Sequence, residues 1–172
     1  MATTYFVTER YLKDNTTVSN NCDVKDVLIN VKPVADMYTR SLLGTYFYND
    51  LLTKYNNQTL NADETTLVSI IQPTIAWKAA SESVITLTYQ LKNKGAQVQT
   101  GEYSSNPEYK EVMFLVHHYS DKADFYLNRL SVYLYDNKDL FPEFLSNSNT
   151  DSTVKKSCDG GNDNFQSGIM FI

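Results

Sequence analysis

Residues 65–91, TTLVSIIQPTIAWKAASESVITLTYQL, carry one unbroken helical pattern with a proline, Pro73, near its middle. Leu67, Ile70, Ile71, Thr74, Trp77, Val84 and Ile85 recur every three or four positions, the spacing of a helix face turned toward a core. Ala76, Ala79, Ala80 and Ser81 are small enough to let a neighbouring helix approach closely. Proline lacks the backbone N–H and frees the carbonyl four residues earlier, here that of Ser69, at a cost of about 3 kcal/mol unless packing fixes the kink. The run therefore predicts one long buried helix from residue 63 to residue 91, bent at Pro73 and roughly 40 Å long.

The remainder of the chain predicts more helices. Thr8 caps a short one over residues 8–14 with Tyr11 and Leu12 inward, and Asp23 caps a second over residues 24–43. That second helix repeats Val24, Val27, Leu28, Val31, Ala35, Tyr38 and Leu42, and stops at Leu43-Gly44. Pro33 inside it predicts a kink or a break near residues 30–32. A third helix, residues 45–56, presents Tyr46, Phe47, Leu51, Leu52 and Tyr55. Asn93-Lys94-Gly95 marks a turn, and its flanks around residues 91–100 either pair as a small hairpin or run as extended arms. Asn106-Pro107 opens a final helix over residues 107–137, capped by Ser105 or Asn106. In it Val112, Val116, Tyr119, Ala123, Tyr126, Leu130 and Tyr133 form a four-three seam for a neighbouring helix. The expected fold class is all-α: an antiparallel bundle of kinked long helices with an extended C-terminal tail.

From residue 146 to 164 only Val154 and Cys158 are apolar, a composition that does not bury enough surface to fold by itself. Hydrophobicity returns at Phe165, Ile169, Met170, Phe171 and Ile172. The chain thus divides into a helical domain, residues 1–145, and a tail, residues 146–172, whose terminal apolar residues are the expected partner-binding segment.

The chemistry on offer is thin. With 20 acidic against 15 basic residues the net charge is −5, which opposes nucleic-acid backbones and anionic membranes. Neither a secretory leader nor a run of about 20 apolar residues is present, so a soluble protein made in a cytoplasm is expected. Cys22 and Cys158 give neither a disulfide framework nor a metal spacing. His117 and Asp121 are one helical turn apart and would touch a cation only as an isolated pair, while residues 159–164, DGGNDN, lack the terminal Glu of a calcium loop. No nucleophile elbow, phosphate loop or dinucleotide fingerprint occurs, and no cofactor, metal or catalytic residue is expected. Aromatic residues make up 13% of the chain, 13 of them Tyr, a usage that suits subunit interfaces.

The segments ADMYTRSLLGTYFYNDLL (35–52), IIQPTIAWKAASES (70–83), LKNKG (91–95) and YSDKADFYLNRLSVYL (119–134) occur in an order and spacing that resemble one family. It is that of the head-tail connector proteins (adaptor or ring proteins) of tailed phages, in the version found in crAss-like phages. Leu43-Gly44, Gln72-Pro73 with Trp77, and Asn93 with Gly95 carry the resemblance, which covers residues 5–134. It implies a structural virion protein of the neck, free in the host cytoplasm before assembly. Twelve copies would form a ring below the portal protein, extend the DNA channel without binding genomic DNA specifically, and dock further neck or tail ring proteins. The alternative is a small non-enzymatic helical scaffold that binds a protein partner through its Tyr-rich face and tail.

Overall fold

The computed structural model describes residues 4–19, 22–92, 95–98 and 108–153. The fold is all-α. Its helices are α1 (Glu9–Asn15), α2 (Lys25–Val34), α3 (Ser41–Leu43), α4 (Thr45–Asn57), α5 (Ala62–Thr88), α6 (Tyr109–Asp136) and α7 (Pro142–Leu145). A small antiparallel hairpin, β1 (Tyr89–Lys92) with β2 (Gly95–Val98), joins α5 to α6 and pairs Tyr89 with Val98 and Lys92 with Gly95. Hairpin pairing takes over at Tyr89, so α5 ends three residues before the expected residue 91.

α5 is the central element. Asn61 and Glu64 close a capping box at its start, each side chain bonded to the other's backbone N–H. The helix then runs through Pro73 as one element. Leu67, Ile71, Ile75, Ala76 and Ala79 are fully buried along it. α6 packs antiparallel on one side, where Lys78 Nζ donates to Ser120 Oγ at 2.7 Å and Ser81 Oγ donates to the Val116 carbonyl at 2.9 Å. α2 packs antiparallel on another, where Asn30 Nδ2 donates to Ser83 Oγ at 3.0 Å. The small residues admit these neighbours as expected, whereas Ile85, expected on the core face, is exposed near the helix end.

The irregularity lies downstream of where Pro33 predicted a kink or break. Residues 30–32 stay helical, and the irregularity is a π-helical segment, Ala35–Arg40, that leads into α3. The reason lies in the buried residues Val27, Val31, Ala35, Thr39 and Leu43, which recur every four positions. In a regular α-helix a four-residue step drifts by about 40°, so five such residues would spiral off the core. A wider π turn winds back some of that drift and keeps the row facing inward.

Gly44 separates α3 from α4 with φ +84°, ψ 148°, a conformation that side chains disfavour. α4 then buries Phe47, Tyr48 and Leu51; Tyr46, expected on this face, is exposed, and Tyr48 takes its place. Phe47 packs against Phe141 and Phe144, which brings α7 onto α4. α6 begins at Tyr109, with Glu108 as cap in a box with Glu111, two residues after the start expected at residue 107. Pro107 itself lies outside the described residues.

Candidate interaction face

Of the residues singled out by sequence, Leu43, Gly44, Gln72, Pro73, Trp77 and Gly95 fall among the described residues. Leu43 is fully buried, and a Cβ added at Gly44 would come within 2.1 Å of Asn149 Oδ1. Gln72 Nε2 donates to the Phe6 carbonyl at 2.9 Å, and the Tyr55 hydroxyl donates to the same oxygen at 3.0 Å. Phe6 needs both, because it sits at φ +61° while fully buried. Pro73 follows Gln72 inside α5, and Trp77 lies half-buried beneath Lys122, whose Nζ stands 4.1 Å from the ring centre. Gly95 opens β2 opposite Lys92. Asn93 and the expected partner-binding residues Phe165, Ile169, Met170, Phe171 and Ile172 lie outside the described residues.

The expected boundary at residues 145/146 is not where packing ends. Residues 146–153 form a strap across the α3–α4 junction. Asn149 is fully buried; its Nδ2 donates to the Leu43 and Phe144 carbonyls at 2.9 and 3.1 Å, and its Oδ1 accepts from the Phe47 N–H. Asp151 accepts from the Thr45 backbone N–H at 2.8 Å and from the Thr45 hydroxyl at 2.6 Å, capping α4 in place of a side chain at Gly44. Ser152 Oγ donates to the Leu42 carbonyl, and Thr153 N–H donates to that of Ser41. Composition hid the strap, since it is held by hydrogen bonds rather than by apolar burial. The Thr45 hydroxyl bond, then the Thr45 N–H bond, hold the Asp151 carboxyl below its ordinary pKa.

One cluster resembles a metal centre in outline. Oxygens of Asp50, Glu64 and Glu143 lie within 4.8 Å of one another. Lys54 Nζ sits among them, at 2.7, 2.7 and 3.3 Å respectively. Burial pulls the Lys54 pKa down, but bonds to the three carboxylates outweigh it and hold the ammonium above the ordinary lysine range. The lysine thus stands where a cation would sit, and the cluster ties α4 to α5 and α7. His117 and Asp121 are both exposed on α6, and among the described residues no hydrogen bond or ion pair joins them.

The surface that stands out is the outer face of α6. The expected seam, Val112 through Tyr133, faces inward, with Val112, Ala123 and Leu130 buried. Two positions along, a second four-three row runs down the opposite side: Phe114, His118, Asp121, Phe125, Asn128, Val132 and Tyr135. All seven are exposed, Phe114 by 69%, Phe125 by 62%, Val132 by 59% and Tyr135 by 55%. Phe114 and His118 stack with ring centres 6.2 Å apart. Beside the row a cleft of ≈ 490 Å³ is lined by Trp77, His118, Asp121, Lys122, Phe125 and Tyr126. Sequence reading missed this row because the inner seam already accounted for the helix, yet the same period offset by two was its signal. Phe114, Phe125, Val132 and Tyr135 are thus exposed apolar side chains on one helix face, with Asp121 and Asn128 between them.

A model of one protein family matches residues 39–154, more than half of the chain. The chain belongs to DUF6712, a family of unknown function. The DUF6712 span begins within the π-helical segment and ends just after the strap, so it takes in Gly44, the strap that covers it and both rows of α6. No curated protein and no solved structure matches the chain. Among the described residues no helix is long and apolar enough to cross a membrane.

Proposed function

We propose that this DUF6712 member is a non-enzymatic structural subunit of a tailed-phage virion, placed in the ring that joins portal and tail. The exposed aromatic row on α6 carries the reading, because a side chain such as Phe125 left in water forgoes roughly 1.5 to 3 kcal/mol of burial. A subunit that spends its working life against neighbours has use for such a face, and a free-standing catalyst does not. The all-helical frame and the resemblance of residues 5–134 to head-tail connector proteins support the same reading. In it, copies form a homo-oligomeric ring, with twelve as the expected number, that contacts the portal protein above and further neck or tail rings below.

The net charge of −5 suits a channel wall through which DNA slides without sticking. The experiment is a particle reconstruction of the neck, with mass spectrometry of purified virions. The reading expects a ring of this chain at the portal with acidic side chains outnumbering basic ones on the lumen. Particles that lack the protein, or a lumen lined mainly by Lys and Arg, overturn it. The exposed Tyr109 and Tyr135 favour one other reading, a helical scaffold for a protein partner, which such particles would leave standing.

A further inference from the structure

We infer that the outer row of α6 closes against the same row of a second copy of this chain, antiparallel, about a two-fold axis at Phe125. The evidence is the order of residues on either side of Phe125. Counting equal distances outward, Asp121 falls opposite Arg129 of the second copy, His118 opposite Val132, and Leu115 opposite Tyr135. Phe125 meets its own counterpart at the axis. Leu115, Phe125, Val132 and Tyr135 supply the apolar contact, all of them exposed in the single chain, while Phe114 falls opposite Asp136. Asp121 and Arg129 are exposed and have no ion-pair partner within the chain among the described residues.

Charge decides the direction. In a parallel pair Asp121 would stack on Asp121 and Arg129 on Arg129, whereas the antiparallel pair joins unlike charges twice over by symmetry. Each rim pair is weak alone, so apolar burial drives association and the charges set its register. The row from Phe114 to Tyr135 extends about 32 Å, long enough for six turns of helix to meet. The cleft beside Trp77 opens onto the same face and borders Phe125, which places it at the axis of the pair.

The pair goes beyond the connector reading and does not depend on it. A ring built by simple rotation joins different faces of neighbouring subunits, so a two-fold pair is a separate state of the free protein. In that state the aromatic row is covered before assembly.

Sedimentation velocity on the full-length protein, from micromolar to several hundred micromolar, tests the inference. The wild type should form a dimer, and Phe125→Glu should abolish it while the far-UV circular dichroism stays unchanged. Asp121→Arg and Arg129→Asp should each weaken dimerisation by roughly tenfold, because both symmetry-related pairs become repulsive. The combined variant should restore it. An equal mixture of the two single variants should pair with each other in preference to themselves; a parallel register would give the same preference, so it is the weakening of each single variant below wild type that marks the antiparallel one. As a second line, Phe125→Cys in a background of Cys22→Ser and Cys158→Ser should cross-link to a covalent dimer on mild oxidation. A wild type that stays monomeric with no cross-link at residue 125, or a dimer indifferent to Phe125→Glu, overturns the inference. So does charge reversal that the combined variant fails to rescue. A higher cyclic oligomer that requires Phe125 would overturn the two-fold pair and leave the ring reading intact.

Discussion

At Gly44 one residue type serves two constraints. Its φ of +84° with ψ of 148° is a conformation that residues with a Cβ avoid, and the missing Cβ is where Asn149 Oδ1 sits. Gly44→Ala should therefore destabilise the protein by more than about 2 kcal/mol, read from urea unfolding. Part of that loss should return in Gly44→Ala combined with Asn149→Ala, and full additivity would show that the clash contributes nothing. Tyr48 makes the opposite case. Its hydroxyl and Thr39 Oγ1 are buried without a partner among the described residues, and burial pushes the Tyr48 pKa far up. Tyr48→Phe should leave stability unchanged or raise it by up to about 1 kcal/mol, because it removes an unmet polar group and keeps the ring. A loss of stability in the same melt would mean that the hydroxyl has a partner. The glycine was legible from sequence as the end of a helix. Neither the Asn149 contact nor the left-handed Phe6 was, because both depend on residues more than forty positions away.

Elements were legible where period alone decides. The four-three seam of α6 and the apolar row of α5 as far as Val84 face inward as their spacing requires, whereas residues 146–153 read as tether because polar residues carry no period. Hydrogen bonds hold that strap, and one of its anchors titrates. The folded pKa of Asp151 lies below its unfolded value, so its contribution is complete above about pH 4 and falls away as pH drops through the folded pKa. Wild type should thus lose stability toward pH 3 faster than Asp151→Asn does. Paired urea melts at pH 7 and pH 3 check this. Equal acid sensitivity in the two proteins would remove Asp151 from the account. The π-helical segment was legible only as trouble near Pro33, since the four-residue spacing that calls for it becomes visible once the buried row is known.

For the whole molecule, the strap moves the place where the folded body gives way to the tail. Composition put it at residue 146, while the bonds of Asn149, Asp151, Ser152 and Thr153 to the α3–α4 junction carry the folded body at least to residue 153. Two truncations separate these positions. A chain ending at Thr153 keeps every one of those bonds and should unfold at the same urea concentration as the full-length protein, with the same helical circular dichroism. A chain ending at Ser146 strips the Asn149 bonds from the Leu43 and Phe144 carbonyls and leaves the Thr45 N–H without its cap. It should be less stable by about 2 to 4 kcal/mol, the sum of a lost buried network and a lost cap. Equal stability of the two truncations would reduce the strap to a passive covering. The chain ending at Thr153 also tests the tail, because it lacks Phe165, Ile169, Met170, Phe171 and Ile172 while keeping the bonds of the strap. If those residues dock on a neighbouring subunit, this well-folded truncated chain should fail to enter virions in a complementation assay, and normal incorporation would show that assembly rests on the body, with the α6 row as its principal contact.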